Sequence, residues 1–354
     1  MIKYLGSKRR LVGVLAQMRA AVDARTALDL FTGTTRVAQA FKADGAHVTA
    51  VDTARYSEVF ARCYVETDAT TVDSAAVERA LAHLQELPGR AGYVTETFCR
   101  QARYFQPENG ERIDAIRDAI ETEYAGSELY PVLLTSLLEA ADRIDSTTGV
   151  QMAFLKQWAP RASKPLTLRR PALLAGAGRA VRADAAEVAQ RLGPFDLAYL
   201  DPPYNQHRYF TNYHVWETLV AWDSPPHYGV ACKRMDAREE STKSPFNRKA
   251  DMPDALATCI GAVDAPLVIV SYNNESWLSL DQLREMGAPR GAVDVVAFDS
   301  KRYVGAQIGI HDRRGRKVGQ VSHLRNLEYL VVAGEAELVR RAVGAARAVA
   351  PVSD

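Results

Sequence analysis

Residues 195–204, with the sequence Phe-Asp-Leu-Ala-Tyr-Leu-Asp-Pro-Pro-Tyr, constrain the fold of this chain more than any other stretch. Their first half is mostly apolar and prone to β structure, which predicts a buried strand. Proline has a fixed φ angle and no backbone N–H group, so the strand cannot continue through Pro202 and Pro203. Asp201 is therefore placed at a strand end, beside a rigid corner and the ring of Tyr204. Such a group can hold a flat base by its exocyclic amine, whereas the simpler alternative is a polar strand end with a Pro-Pro turn.

A β-turn-α-β pattern near the N-terminus adds a second constraint. Residues 27–31 and 47–52 are strand-like apolar runs, and residues 32–35 (Thr-Gly-Thr-Thr) predict a tight turn before a helix. Gly33 lets the backbone approach a ligand, and Asp52 follows 19 residues later, where a carboxylate can bind ribose hydroxyls. The turn has one glycine in place of the G-x-G-x-x-G pattern, which disfavours a dinucleotide as the ligand. A nucleoside that carries no pyrophosphate remains a possible ligand. A plain α/β crossover is the alternative.

Acidic residues recur at the ends of the predicted strands. Residues 179–184 predict a short strand that ends in Asp184, so that Asp52, Asp184 and Asp201 all stand at strand ends, with Gly33 at a fourth. Further strands are predicted at residues 267–272, 293–298 and 328–333. In a doubly wound sheet the carboxyl ends of the strands line the ligand crevice. The pattern therefore predicts an α/β fold with one site at this edge.

Between about residues 56 and 168 the strand signal fades and helical spacing dominates, which predicts a helical insert in a sheet protein. Arg100, Arg103, Tyr104 and Phe105 alternate charge with aromatic rings there, as on nucleic-acid surfaces. The alternative for each of them is that the aromatic rings belong to the core and the neighbouring arginines are simply exposed to solvent. Arg103 is the candidate for contact with DNA.

Several other stretches are candidates for contact with a polyanion. His207, Arg208 and Tyr209 lie near the Pro-Pro corner, whereas His214 is interpreted as a structural histidine. Residues 223–253 lack apolar periodicity and predict a long mobile loop. The basic candidates further along the chain are Lys301, Arg302, Arg313, Arg314 and Arg316, the last three in a predicted hairpin tip that suits phosphates or is merely a solvated turn.

Composition narrows the class of protein. The formal net charge of the 354-residue chain is only +1, so any nucleic-acid site must arise from local clustering of basic residues. No apolar run reaches the length that spans a membrane, which predicts a protein without membrane contact. The four cysteines are scattered and form no C-x-x-C pair, so neither a metal site nor a disulfide framework is expected, and a cytoplasmic setting is the simplest.

With these elements in place, the sequence resembles the alpha-type (Dam-like) N6-adenine-specific DNA methyltransferases of restriction-modification systems. Residues 201–204 (Asp-Pro-Pro-Tyr) match the catalytic motif of that family, and residues 29–34 match its F-x-G cofactor motif. Residues 4–8 (Tyr-Leu-Gly-Ser-Lys) look like its N-terminal cofactor motif, although an ordinary helix N-cap by Ser7 is the alternative. The order of the motifs, with an inserted target-recognition region before Asp-Pro-Pro-Tyr, is also that of the family.

The resemblance implies a Rossmann-like fold with S-adenosylmethionine as methyl donor. Asp52 would bind the ribose hydroxyls and Asp184 the adenine amine of the cofactor, while Asp29 would orient the glycine turn or the cofactor's amino group. The complete set of expected cofactor-binding residues is Tyr4, Gly6, Ser7, Lys8, Asp29, Phe31, Thr32, Gly33, Thr34, Asp52 and Asp184. Asp201 and the carbonyl of Pro202 would accept the two hydrogens of the target amine, next to Pro203, and the flipped base would stack on Tyr204.

The same resemblance implies a division of the chain and a set of partners. Residues 1–60 and 166–340 would form the catalytic domain, and residues 61–165 a helical insert for target recognition, with sequence choice set within 90–165. Double-stranded DNA would be the substrate, a separate restriction endonuclease a functional partner, and the bacterial nucleoid the location; the oligomeric state is left open. The alternatives are an RNA adenine or guanine methyltransferase, and a non-catalytic nucleic-acid-binding protein on a methyltransferase fold.

Overall fold

The computed structural model describes residues 2–6, 8–203, 208–301 and 325–349. The strands are β1 (Thr26–Asp29), β2 (His47–Asp52), β3 (Arg179–Arg182), β4 (Leu197–Leu200), β5 (His227–Tyr228), β6 (Lys233–Arg234), β7 (Leu267–Asn273), β8 (Ala292–Lys301) and β9 (Arg325–Gly334). The α-helices are α1 (Val12–Ala21), α2 (Arg36–Ala43), α3 (Arg55–Ala61), α4 (Ser74–Glu86), α5 (Pro107–Tyr124), α6 (Tyr130–Ile144), α7 (Ala185–Val188), α8 (Tyr209–Asn212), α9 (His214–Ala221), α10 (Met252–Ala262), α11 (Leu280–Gly287) and α12 (Ala336–Val349). None of the helices in these ranges combines the length and the apolar character that crossing a bilayer requires.

Seven of the described strands form one sheet, in the order β3-β2-β1-β4-β7-β9-β8. β1, β2, β3, β4 and β7 are mutually parallel, whereas β9 runs antiparallel to both β7 and β8. β1 lies between β2 and β4, with Asp29 in register with Ala50 on one side and with Tyr199 on the other. The carboxyl ends of the parallel strands therefore share one edge, and the predicted α/β, Rossmann-like fold is confirmed.

Alternating side chains along β4 explain why helices cover both faces of the sheet. Leu197 and Tyr199 pack in one core with α1, α2 and α12, whereas Ala198 and Leu200 pack in another with α7, α10 and α11. Successive side chains of a strand point to opposite faces, so a strand covered on both sides is apolar throughout. All four residues of β4 are buried in this way, which fixes the strand that precedes Asp201.

Residues 61–165 are all described, and they form helices and turns without a β-strand, as their patterning predicts. Two π-helical segments (Arg62–Glu66 and Thr95–Gln101) accompany α4, α5 and α6. The apolar faces of these helices form a third core, to which α9 also contributes Trp216 and Leu219. The mostly helical character of the insert is confirmed, and the insert packs on a helix that follows the Pro-Pro corner in sequence.

The segment 223–253 contains regular elements where one long mobile loop is predicted, which corrects that prediction. β5 and β6 pair as a two-stranded antiparallel ribbon, and 3-10 helices follow at Met235–Arg238, Glu240–Thr242 and Pro245–Asn247. Arg234 of β6 ties the segment together, because its guanidinium donates to Asp223 at 2.8 and 2.7 Å and to Asp236 at 2.7 Å. Ion pairs and turns, rather than an apolar face, hold this segment, so no periodicity marks it in the sequence.

Candidate active site

Neighbouring strands bring the predicted acidic residues to one edge of the sheet. Asp52 ends β2, Asp201 directly follows β4, and Asp184 lies two residues beyond β3. Among the predicted residues, one cavity is lined by Gly33, Asp52, Asp184, Asp201, Pro202 and Pro203. The same cavity is lined by Tyr4, Gly6, Phe31, Arg208 and Tyr209. The geometry thus unites motifs that lie as much as two hundred residues apart in the sequence.

Some predicted residues do not line this cavity. Lys8, Asp29, Thr32 and Thr34 are buried. Ser7, Tyr204, His207, Arg302, Arg313, Arg314 and Arg316 lie outside the described residues, as does the side chain of Lys301. The roles predicted for them stay predictions.

The glycine turn after β1 is shaped by close contacts that require a residue without a side chain. Gly33 has a positive φ of 52°, and a Cβ atom at this position would lie 3.0 Å from the ring of Tyr4. The Gly33 N–H donates to Oδ2 of Asp52 at 2.9 Å. The turn and the end of β2 are therefore joined directly, and the backbone of the turn lies open along the cavity.

Asp52 is held by the backbone on both sides. Its Oδ2 accepts from Gly33, and its Oδ1 accepts from the N–H of Ala54 at 3.0 Å. Burial raises the pKa of Asp52, and these two backbone donors act in the opposite direction. The carboxyl group is thus fixed in orientation at the cavity wall by its own chain neighbours.

Asp29 lies beneath the same turn and is almost completely buried. Its Oδ2 accepts from the Thr32 hydroxyl at 2.8 Å and from the N–H of Ala38 at 3.2 Å, which ties the turn to α2. Its Oδ1 is buried and has no hydrogen-bond partner among the described residues. Burial, with a smaller contribution from the charge of Asp201, raises the pKa of Asp29 to about 7.

Asp184 caps a short helix at the other end of the cavity. Its Oδ1 accepts from the N–H of Ala186 at 2.9 Å, at the start of α7. β3 ends at Arg182, so Asp184 belongs to the strand-to-helix turn rather than to the strand that the sequence predicts. The predicted placement at the strand edge is otherwise retained.

Asp201 is held by side chains from distant parts of the chain. Lys8 Nζ lies 3.0 Å from Asp201 Oδ1 and also forms an ion pair with Glu328 of β9. Ser271 of β7 donates to Oε1 of Glu328 at 2.9 Å. Burial raises the pKa of Asp201 to about 7, Lys8 acts to lower it, and Glu328 acts to raise it further.

Rings fix the N-terminal residues against the cavity. Tyr4 stacks on Tyr213 with ring centroids 4.8 Å apart, and the ring of Tyr209 lies 5.3 Å from Tyr4. The N–H of Leu5 donates to the Tyr213 hydroxyl at 2.7 Å. The loop that carries Lys8 is therefore positioned by the residues that follow the Pro-Pro corner.

Two of the arginines predicted to contact DNA lie in different surroundings. Arg208 lines the cavity and donates to the carbonyl of Ala237 at 2.6 Å, which links the corner to the segment after β6. Arg103 donates to the carbonyl of Lys156 at 2.7 Å and lies 4.7 Å above the ring of Trp158, and it does not line the cavity. His214 is buried in the core of the insert, where burial lowers its pKa to about 3, as expected for a structural histidine.

Sequence reasoning missed several residues of the site. Glu328 is the main one, and its only signal is a single acid within the apolar run of β9. The wall opposite the sheet comes from the segment after β6, through Thr242, Ser244 and Phe246, the last of which meets Phe31 edge-on at 4.9 Å. No local motif marks these contacts, because they depend on how the segment 223–253 folds back.

Comparison with known proteins identifies this arrangement. The family model of the D12 class N6 adenine-specific DNA methyltransferases matches residues 4–286. The chain belongs to this family. The family resemblance, the function and the enzyme class predicted from the sequence are thereby confirmed, and the protein is an adenine-specific DNA methyltransferase. Its family implies S-adenosylmethionine as methyl donor and DNA as substrate.

Relatives of this methyltransferase carry names from restriction-modification systems. The type II methyltransferase M.NlaIII of Neisseria lactamica is 33% identical over 318 residues, which cover 85% of this chain and 92% of that protein. M.CviAII of Paramecium bursaria Chlorella virus 1 is 32% identical over 221 residues, covering 60% and 64% respectively. The modification methylase StsI of Streptococcus sanguinis is 29% identical, and the match spans 85% of this chain but about half (49%) of that relative. A solved precorrin 8w decarboxylase matches at 10% identity with a TM-score of 0.27, too low to carry an argument.

Proposed function

We propose that this methyltransferase moves a methyl group from S-adenosylmethionine to N6 of a flipped-out adenine in double-stranded DNA, with Asp201 and Pro202 as the groups that touch the reacting amine. One observation carries the proposal. Asp201 shares a single cavity with Gly33, Asp52 and Asp184, so a nucleoside cofactor and an amine can meet beside one carboxylate.

The residues of the cavity fit S-adenosylmethionine. Gly33 lets the turn pack against Tyr4 at the cavity wall, Asp52 presents a fixed carboxylate suited to ribose hydroxyls, and Phe31 provides an apolar wall. Asp29 lies beneath the glycine turn, outside the cavity lining, and its buried Oδ1 has no partner among the described residues. We propose this oxygen as an acceptor for the ammonium group of the cofactor. Asp184 is placed to accept from an adenine amine. When bound, the cofactor supplies an electrophilic methyl group on its sulfonium.

The catalytic work of the protein is to prepare the amine. The lone pair of an adenine amine is delocalised into the ring, so the amine is a poor nucleophile. Asp201 and the carbonyl of Pro202 accept hydrogen bonds from the two N–H groups of the amine. These hydrogen bonds draw the nitrogen toward tetrahedral geometry and free its lone pair. Asp201 must be ionised to do this, and Lys8 at 3.0 Å favours the ionised form. The base reaches this corner only outside the duplex, where Tyr204 would stack on it.

The test is direct. The purified protein is incubated with S-adenosylmethionine and either unmethylated DNA or total RNA, and the products are digested and examined for N6-methyladenine by mass spectrometry. Asp201→Ala should abolish the product while keeping cofactor binding, and Asp254→Ala, an exposed carboxylate on α10, should leave both unchanged. Methyladenine from RNA alone would move the substrate to RNA. A protein that binds no cofactor would be a binding protein on a methyltransferase fold.

We further propose that the helical insert at residues 61–165 reads the target sequence and that residues 90–165 set its choice. Support comes from the core that the insert shares with α9, the helix that follows the Pro-Pro corner and α8 in the sequence. Replacing residues 90–165, together with the core residues of α9, by those of a relative should change the methylated site found by sequencing. An unchanged site would contradict this assignment.

A role in protecting DNA from a separate endonuclease is also proposed, because M.NlaIII and M.CviAII are named type II methyltransferases. Such a protein would act in the cytoplasm at the nucleoid. DNA methylated in vitro should resist an endonuclease that cuts at the mapped site. Cleavage at the unmodified rate would remove this role and leave the methyl transfer itself intact.

A further inference from the structure

Exposed apolar side chains gather at one place outside the catalytic cavity. Val230 is 79% exposed, the largest value among the large apolar side chains in the described part of the chain. Val230 and the exposed Met152 line the same groove, between the tip of the β5–β6 ribbon and residues 152–156. Contiguous exposed apolar residues of this kind mark interaction surfaces.

The ribbon holds Val230 rigidly. The residues between β5 and β6 form a tight turn, in which the N–H of Cys232 donates to the carbonyl of Gly229 at 3.0 Å. Tyr104, from the insert, donates to the carbonyl of Ala231 at 3.0 Å, and Tyr93 donates to that of Pro225 at 2.6 Å. Val230 is thus presented to solvent by a braced turn.

The charge around the groove is positive. Lys156 and Lys233 line it, and none of its lining residues in the described part of the chain is a carboxylate. The guanidinium of Arg238 lies 3.9 Å above the ring of Tyr228 at the base of the ribbon. Apolar side chains with cations at their margin fit a surface that presents base edges between phosphates.

The groove is connected to the catalytic cavity by the same stretch of chain. Arg234 of β6 lies 6.0 Å from the ring of Phe210, which lines the cavity. Three residues after β6, the carbonyl of Ala237 accepts from Arg208, and Thr242 then lines the cavity wall. The ribbon and part of the cavity wall therefore belong to one continuous segment of the chain.

We propose that the ribbon and residues 152–156 form a second DNA-contacting surface, in which the ribbon enters the major groove beside the target adenine. This inference rests on the proposed function. A two-stranded ribbon fits the major groove, Val230 and Met152 contact base edges such as the thymine methyl, and Lys156 and Lys233 contact phosphates. The partner surface is duplex DNA that flanks the flipped nucleotide.

The test compares two exposed valines. Val230→Asp introduces a charge at the ribbon tip, and Val349→Asp introduces the same charge on α12, where the valine is 45% exposed. Binding of fluorescein-labelled, unmethylated PCR duplex is measured by anisotropy, with thermal stability and S-adenosylmethionine affinity as checks. Val230→Asp should weaken DNA binding about tenfold with both checks unchanged, and Val349→Asp should bind as the wild type does.

Lys233→Ala adds an independent readout. Removal of one phosphate contact should reduce the slope of log affinity against log salt by about one. DNA binding by Val230→Asp at the strength of Val349→Asp, or an unchanged salt slope for Lys233→Ala, would overturn the proposal. Because binding is measured without methyl transfer, failure of this surface and failure of the proposed chemistry give separate results.

Discussion

Asp52 and Asp201 are partly buried carboxylates near the ends of two strands that flank β1, yet they are held in opposite ways. Asp52 accepts from the backbone of Gly33 and Ala54, which lie in the adjoining turn and the next loop. Asp201 meets the side chain of Lys8, which Glu328 holds in turn. Backbone donors fix a position and do not titrate, whereas side-chain ions also set a charge. The difference suits a carboxylate that only binds and one that must be ionised to act.

The largest effect is expected at Asp201, the carboxylate that we propose touches the reacting amine. Asp201→Asn keeps the shape of the side chain but places an amide where an acceptor of amine hydrogens is needed. We expect kcat to fall about a thousandfold, with the affinity for S-adenosylmethionine within a factor of two of wild type. Single-turnover kinetics and calorimetry measure the two quantities. If Asp201→Asn lost as much affinity for the cofactor as it lost in rate, Asp201 would not differ from Asp52 in the way proposed here.

Asp52→Asn should show the reverse split. Each oxygen of Asp52 accepts a backbone N–H, so the amide nitrogen must face one of these donors and weaken the turn. We expect the dissociation constant of S-adenosylmethionine to rise about tenfold, with kcat at saturation changed only a few-fold. Asp254→Asn serves as the control for a carboxylate outside the cavity. A kcat loss without a change in affinity would contradict the assignment.

The third prediction concerns pH. We propose that Asp201 acts in its ionised form. Burial raises the pKa of this carboxyl to about 7, so kcat/KM for DNA should fall as the pH is lowered through that value. Lys8 lowers this pKa and Glu328 raises it, with Asp29 and Tyr199 also nearby. Glu328→Gln should therefore move the acid limb to lower pH, and Lys8→Met should move it to higher pH.

The two opposite shifts separate a charge effect from general damage to the site. Both variants remove one partner of the same ion pair, so a purely structural loss would move both profiles alike. Glu337→Gln, at the start of α12, is the control. Shifts of the same sign for Glu328→Gln and Lys8→Met would show that the pair does not set the ionisation of Asp201.

The smallest expected effect is on stability, at Asp29. Burial raises the pKa of this carboxyl to about 7, above its value in the unfolded chain, so the folded state binds the extra proton and loses stability as the pH rises toward 7. The Asn side chain of Asp29→Asn cannot ionise. The melting temperature of this variant relative to that of the wild type should therefore rise by a few degrees when the pH is raised from 5 to 8. A difference that is constant with pH would mean that Asp29 does not titrate in this range.

The parallel half of the site could be predicted from the sequence because its signals are local. Asp52 ends β2, Asp201 directly follows β4, and Gly33 lies in the turn after β1. A parallel sheet brings such strand ends together at one edge. The position of Asp184 was predicted at the end of the strand, and the structure differs only in placing it in the turn that follows. The helical insert could be predicted for the same reason, because its helical spacing is also a local signal.

The rest of the site depends on contacts that no short stretch specifies. Glu328 forms its ion pair with Lys8, beside Asp201, because β9 pairs antiparallel with β7. The direction of a strand is not encoded in its apolar pattern. The ribbon and the cavity wall in the segment 223–253 are held by Arg234 and its two aspartates rather than by an apolar face. A sequence reader sees charge and proline there and infers a loop.

The pairing of Lys8 with Glu328 has a consequence for synthesis of the protein. These two residues are separated by 320 positions, and Asp201, which pairs with Lys8, lies between them in the sequence. A nascent chain that already contains the glycine turn and Asp201 still lacks β9, so Lys8 has no Glu328 to hold it. The ionic environment of Asp201 is therefore completed only after β9 has been synthesised. If Asp201 has the role proposed above, the first folded half of the chain would not yet carry the full methylating activity.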